Sequence, residues 1–163
     1  MRFKDDVFVS CLKYCKNRED AQDILQDTFL HVFKNIKTYK GSGTFEGWVK
    51  RIAINKSITK YKNERHLELI KDNTLNNQSE DDPNIERIPL NQILKYIQEL
   101  PSQYRFVFNL YELDDYSHKE VAEILNISVS TSKSNLHRAK HLLRERIKKP
   151  TRTNPNKIRS NGN

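Results

Sequence analysis

The chain has 163 residues, room for one medium domain or two small ones, and carries a net charge of +8. A pI near 9.5 favours a polyanionic partner, either nucleic acid or an anionic membrane surface. No apolar run approaches the ~20 residues of a spanning helix, and the opening MRFKDDVFVS lacks the uninterrupted apolar core of a signal peptide, so a cytoplasmic protein without membrane insertion is expected.

Only 4 glycines and 5 prolines punctuate the chain, and apolar residues recur at helical rather than alternating spacing. The expected class is all-α. Cys11 and Cys15, the only cysteines, stand four apart on one helix face; a zinc site would need two more ligands, and His137 and His141, also four apart, are not local to them. Buried reduced thiols are the expectation. A strong helix begins at Asn17, a good N-cap, with Glu19 and Asp20 in a first turn whose dipole favours acids. Ala21, Ile24, Leu25, Thr28, Phe29, Val32, Phe33 and Ile36 form its apolar stripe, and Asp20, Asp23, Gln26 and Asp27 its acidic face. That face is a metal site, a solvated surface or a dock for a basic partner; no His or Glu partner for a metal is evident.

Lys40 to Thr44, KGSGT, reads as a loop, after which Thr44 caps a helix reaching to about Asn63. Its inner stripe is Phe45, Trp48, Val49, Ile52 and Ala53. The other face carries Lys50, Arg51, Asn55, Lys56, Thr59, Lys60, Tyr61, Lys62 and, just beyond, Arg65. Cations interleaved with amides and an aromatic ring suit a phosphate backbone with unstacked bases beside it, although a solvated Lys-rich helix has the same composition. From Leu69 to Ile88 the periodicity is lost in a polar, Asn-rich, locally acidic stretch that reads as a linker. Helical signal returns at Pro89 with Leu90, Ile93, Leu94 and Ile97, breaks at Leu100-Pro101, and resumes with Val107, Phe108, Leu110 and Tyr111. Residues 150–163 read as a disordered basic tail.

The stretch from Asp115 to Lys149 carries the strongest functional signal. Ser117 and Glu120 make the S-x-x-E capping box of a short helix with Val121, Ala122 and Leu125 on its apolar stripe. Asn126 tolerates positive φ and can end it, and Ser128 is placed to cap a second helix that runs until Pro150. Lys133, Ser134, Asn135, His137 and Arg138 supply donors and acceptors for base edges and phosphates, with Leu136, Ala139 and Leu143 on the buried side. This is helix-turn-helix grammar, with the small Ala122 at the crossing; a helical hairpin with a basic solvated face is the bland alternative.

Taken together, CLKYCKNREDAQDILQDTFLHVFKNI, GTFEGWVKRIAINKSI and LPSQYRFVFNLYELDDYSHKEVAEILNISVSTSKSNLHRAKHLL resemble one family in order and spacing. It is the RNA polymerase sigma factors, in the small extracytoplasmic-function (ECF) group of the sigma-70 family. The resemblance implies two small helical domains joined by a flexible linker: a region 2 bundle over 1–68, a linker over 69–88, and a region 4 helix-turn-helix over 89–149. It implies that Asp20, Asp23, Gln26 and Asp27 dock on the clamp helices of the largest subunit of core RNA polymerase. The 40–44 loop with Arg51, Asn55, Lys56, Lys60, Tyr61 and Arg65 would then capture and melt the minus-ten element of promoter DNA. Ser130, Thr131, Lys133, Ser134, His137 and Arg138 would read the minus-thirty-five element. An anti-sigma factor is a further implied partner; no cofactor or catalytic residue is implied. Relatives usually begin with a further helix, which makes an incomplete first domain an open expectation. Asn126 stands where Gly is commoner. Ser132 stands where an apolar plug is usual, and a bond from its hydroxyl to the carbonyl four residues back would compensate. Two rivals remain: a stand-alone helix-turn-helix regulator, and a metal-dependent nuclease using Asp20, Asp23 and Asp27.

Overall fold

The computed structural model describes residues 2–65 and 88–149; the expected linker from 69 to 87 and the expected tail from 150 onward lie outside the described residues. The first unit packs α1 (Arg2–Tyr14), α2 (Arg18–Asn35) and α3 (Phe45–Arg65) against one another, with a single 3-10 turn at Ile36–Thr38. The α2 start is set by Asn17, whose side-chain oxygen accepts from the Asp20 N–H at 2.7 Å, and α3 begins where Thr44 Oγ1 accepts from the Gly47 N–H at 3.0 Å. Between them Gly41 and Gly43 take φ values of +74° and +80°, which a side chain would strain. The Tyr39 hydroxyl closes this loop by donating to the Gly43 carbonyl at 2.9 Å.

Val7, Cys11, Ala21, Ile24, Leu25, Val32, Val49 and Ala53 form the core of this unit, edged by Phe3, Phe29, Phe45 and Trp48. Both thiols are free and buried. Burial, helped by the neighbouring Cys15, pushes the Cys11 thiol up to about 12. Burial likewise lifts Cys15 to about 11, with Asp20 adding to the effect and Lys60 and Arg105 opposing it. Such thiols stay protonated and inert. The expected α2 stripe runs too far in one respect: Phe33 is 74% exposed and Ile36 47%. At 100° per residue Phe33 lies about 135° from the centre of the Ala21–Ile24–Thr28–Val32 stripe. Ile36 falls past the end of α2, in the 3-10 turn, where the phase changes.

The second unit is α4 (Leu90–Gln98), α5 (Ser102–Phe108), α6 (His118–Leu125) and α7 (Val129–Lys148). Its opening stripe is only half used, since Tyr96 and Ile97 are buried while Leu90 and Ile93 stay exposed. Past α5 the chain widens into a π-helical turn, Asn109–Leu113, which closes with the Asp114 N–H donating to the Asn109 carbonyl at 3.0 Å. The capping box at Ser117 and Glu120 is complete, and its hydrogen bonds hold the Glu120 carboxyl below its ordinary value. Asn126 ends α6 in the left-handed region at φ +54°, and the Ser128 hydroxyl accepts from the Thr131 N–H at 2.9 Å to open α7.

The two units do not stand apart. The last carbonyls of α1, orphaned by the end of the helix, are taken up by side chains of the second unit. Gln98 Nε2 donates to Leu12 at 3.0 Å, Asn109 Nδ2 to Lys13 at 2.6 Å, and Arg105 Nε to Tyr14 at 2.8 Å. Arg105 also donates from Nη1 to the carbonyls of Gln98 and Leu100 at 3.1 and 3.0 Å, so one guanidinium caps two helix ends. It is 4% exposed, and burial lowers its pKa from the ordinary arginine value. Lys13 pairs with Asp114 at 2.8 Å, and the Tyr14 hydroxyl donates to the other oxygen of that carboxylate. Burial, then Asp114, pushes the Tyr14 phenol far above its ordinary value and keeps it a donor. Apolar contact completes the joint, with Tyr61 stacked on Phe106 at 4.3 Å between centroids and both units sharing one core cluster.

Replacing Arg105 by Leu leaves the Tyr14 and Leu100 carbonyls short of a donor at buried sites, and an orphaned group costs about 1–3 kcal/mol. The variant should lose at least about 2 kcal/mol in urea titration of the full chain. A loss under about 0.5 kcal/mol, the range of ordinary surface changes, would mean that the guanidinium is not the clasp of the two units.

Candidate nucleic-acid interface

The N-terminal half of α7 presents a polar surface with little apolar relief. Ser130, Thr131, Lys133, Ser134, His137 and Arg138 are all exposed, while Ser132, Leu136 and Ala139 face inward against the rest of the unit. All six residues expected to read DNA therefore fall on the solvent side. Three of them are held from within the protein, the Thr131 hydroxyl by accepting from the Ser128 hydroxyl at 2.8 Å. The Ser134 hydroxyl donates to the Ser130 carbonyl at 2.9 Å, and Arg138 Nη1 reaches the Tyr104 hydroxyl at 3.4 Å. Asn135, expected on this face, is instead 4% exposed, and its Nδ2 finds no partner among the described residues. At 100° per residue Asn135 lies on the same side as Ser132 and Leu136. Its polarity, not its phase, had placed it outside.

The basic face of α3 divides into a free part and a used part. Arg51 and Asn55 are exposed and Lys56 half-buried, and Thr59 bonds back to the Asn55 carbonyl at 3.0 Å. Lys60 is paired with Asp20 at 2.8 Å. Burial works against its ammonium, but the hydrogen bond and charge of Asp20, joined by Glu64, outweigh it and raise the pKa above the ordinary lysine value. Arg65 reaches the Leu125 carbonyl at 3.4 Å. Tyr61 is 8% exposed and lies in the shared core; the expectation that its ring is offered to an unpaired base does not hold in this arrangement. Position 61 is in phase with Ile54 and Ile58, and the stack on Phe106 covers it.

On α2, Asp23, Gln26 and Asp27 are exposed, whereas Asp20 is half-buried by its bond to Lys60. The same side of the helix continues into Leu30, 51% exposed, and Phe33. An acidic strip thus runs into an apolar one, a combination more typical of a protein-docking surface than of a nucleic-acid one. Among the described residues, no group of three or more His, Cys, Asp and Glu is placed to hold a metal ion, and no helix is long and apolar enough to cross a membrane.

Two family models account for the two units: sigma-70 region 2 matches residues 1–66, and sigma-70, region 4, matches residues 90–143. This chain belongs to the sigma-70 family of RNA polymerase sigma factors, in its ECF group. It is 28% identical to the ECF RNA polymerase sigma factor SigW of Bacillus subtilis, in an alignment covering 90% of this chain and 85% of that protein. It is 29% identical to the ECF RNA polymerase sigma factor SigM of the same organism, covering 87% and 88%. Its fold is similar to that of the sigma factor RpoE from Bartonella quintana, solved in complex with the anti-sigma factor NepR. That match has a TM-score of 0.55 at 17% identity and covers 91% of this chain and 93% of the other.

Sigma regions 2 and 4 thus correspond to the two helical units, and the exposed residues of α2, α3 and α7 lie within them. The sequence reading counted Phe33 toward the core stripe because it is apolar and made no assignment of Leu30; both are surface residues. It equally missed the internal partners of Lys60 and Arg65, which come from distant parts of the chain. These placements separate structural from surface roles on α3. Tyr61→Ala should cost about 3–5 kcal/mol of stability in the free sigma factor, the range for deleting a buried aromatic ring. Asn55→Ala should stay within about 0.5 kcal/mol, as surface changes do. Equal midpoints for both in chemical denaturation would contradict the burial of Tyr61.

Proposed function

We propose that this sigma factor binds core RNA polymerase through the α2 surface, directs it to promoters, and itself makes and breaks no covalent bond. The observation that carries the docking assignment is the continuity of exposed Asp23, Gln26 and Asp27 with exposed Leu30 and Phe33 along one side of α2. An apolar centre supplies contact area and the acidic rim orients a basic partner. The relatives named above are RNA polymerase sigma factors, which supports the same reading; we place this chain's action in the cytoplasm on the same ground. RpoE of B. quintana is bound by an anti-sigma factor; a comparable partner is proposed for this chain.

For DNA, Arg51, Asn55 and Lys56 are the residues of α3 that we assign to the minus-ten strand as the helix stands. Lys60, Tyr61 and Arg65 join them only if the contacts with Asp20, Phe106 and Leu125 are given up. On α7 we assign Lys133 and Ser134 to base edges near the helix start, with Ser130, Thr131 and His137 around them. Arg138, which reaches Tyr104, is assigned to the phosphate backbone.

Charge reversal at Asp23 and Asp27 together, Asp23→Lys with Asp27→Lys, should weaken stoichiometric binding to core polymerase by tenfold or more, on the order of 1.4 kcal/mol, with the circular dichroism unchanged. Unaltered affinity would remove the docking assignment. In the reconstituted holoenzyme, Lys133→Ala should relax preference at one or two minus-thirty-five positions by ~1–3 kcal/mol. Arg138→Ala should weaken matched and mismatched sites alike and lower the salt slope by about one. The reverse pattern would exchange the two roles. A chain that selects its duplex equally well without polymerase, and never binds core, would instead be a stand-alone regulator.

A further inference from the structure

Ser132 is completely buried on the inner side of α7, where an apolar residue would be the simpler choice. A buried hydroxyl must find a partner, and the partner is not the one that sequence suggests, the carbonyl one turn back. Its Oγ lies 2.9 Å from Nδ1 of His118, the first residue of α6. The His118 ring in turn lies flat on Tyr111, with centroids 4.1 Å apart and planes at 19°. Tyr111 belongs to the π-helical turn between α5 and α6. One imidazole therefore ties three elements together, and it does so at the turn of α7 that presents Thr131, Lys133 and Ser134 to solvent.

We propose that His118 is a positioning residue for promoter reading: its neutral ring, bonded to Ser132, sets the angle of the recognition helix, and protonation of the ring loosens that setting. The proposal rests on α7 being the minus-thirty-five reader. In the neutral ring with its proton on Nε2, Nδ1 accepts from the Ser132 hydroxyl. Protonation of the partly exposed ring at Nδ1 converts that acceptor into a donor, so the hydroxyl of fully buried Ser132 must turn its own proton away. The added charge also sits in the first turn of α6, where the helix dipole disfavours cations. The charged groups facing the ring are Lys133 and Lys140 from α7 and Glu112 from the π-helical turn, and Glu112 is itself ion-paired with Lys140. Burial first, then Lys133, hold His118 below the ordinary histidine value, with Glu112 opposing. A histidine with a depressed folded-state pKa contributes stability that is fully present above its unfolded value, about 6.5, and is lost as pH falls through the folded value. The effect therefore belongs to the acid side of about pH 6.5.

The test uses the full chain assembled with core polymerase and a minus-thirty-five duplex selected by that holoenzyme from a random library at pH 8. Matched and mismatched duplexes are titrated by fluorescence anisotropy between pH 8 and 5.5. The preference for the matched duplex should fall about three- to tenfold across this range, the worth of about one hydrogen bond. Binding to mismatched DNA should not fall with it. The double variant His118→Phe with Ser132→Ala keeps a ring on Tyr111, removes both polar atoms and cannot titrate there. Its preference should be independent of pH and close to the parent's value at pH 8. It retains His137 and His141, so a pH dependence that persists in the double variant belongs to a group other than His118 and overturns the proposal, as does a flat profile in the parent. If the double variant loses preference at every pH while its circular dichroism is unchanged, the pair acts by some means other than the protonation state, and the proposal fails in that form too. A parent with no sequence preference at any pH would remove the reading of α7 itself, a result distinct from a pH-independent preference.

Discussion

The C-terminal end of α1 is the constraint on which the rest of the molecule depends. A helix that stops in the interior leaves carbonyl oxygens without partners, and buried groups of that kind are expensive. Here the carbonyls of Leu12, Lys13 and Tyr14 accept from Gln98, Asn109 and Arg105 of the other unit, in that order. The capping groups of an N-terminal helix are thus encoded more than eighty residues away. Arg105 does this for α1 and for the end of α4 at once, which explains why a cation with no ion-paired carboxylate among the described residues can be buried: it faces the negative ends of two helix dipoles. The π-helical turn belongs to the same device, since the extra residue in that turn accompanies Asn109 pointing at Lys13 and Asp114 meeting Lys13 and Tyr14.

This joint changes what the surface can be. Tyr61, Lys60 and Arg65 read, in sequence, as part of one continuous basic face, yet each is engaged by another segment of the chain. The exposed part of that face is broken rather than continuous: Arg51, Asn55, Thr59 and Lys62 face solvent, while Tyr61 is buried and Lys60 is half-buried. On α2 the opposite happens, because Phe33, counted toward the core, and Leu30 extend the acidic strip instead. The surface available to a protein partner is larger than the sequence suggested, and the surface available to nucleic acid is smaller.

What could be read from the sequence was what depends on neighbours in the chain. The Asn17 cap, the Ser117 and Glu120 capping box, left-handed Asn126 and the Ser128 cap are all local chemistry, and all were legible. The exposed side of α7 was legible as well, apart from Asn135, because its phase is fixed by Leu136 and Ala139. The rest depends on contacts between distant segments. Nothing near Ser132 points to His118 fourteen positions earlier, and nothing near Tyr61 points to Phe106. Phe33 shows the reverse limit: its helical phase already set it far from the stripe, and only its apolar side chain put it in the core count. Family resemblance supplied the division into regions 2 and 4 and the roles of their surfaces, but not the joint between them.

As a sigma factor, this chain converts core RNA polymerase into a promoter-specific enzyme. The direct measurement is run-off transcription with purified core polymerase, with and without the chain, on a library of genomic fragments, followed by permanganate footprinting of the fragments that respond. Discrete transcripts that core alone does not make, each with reactive thymines in a bubble at a common upstream element, are the predicted result. Transcripts unchanged by the chain, with no bubble on any fragment that it binds, would contradict the account.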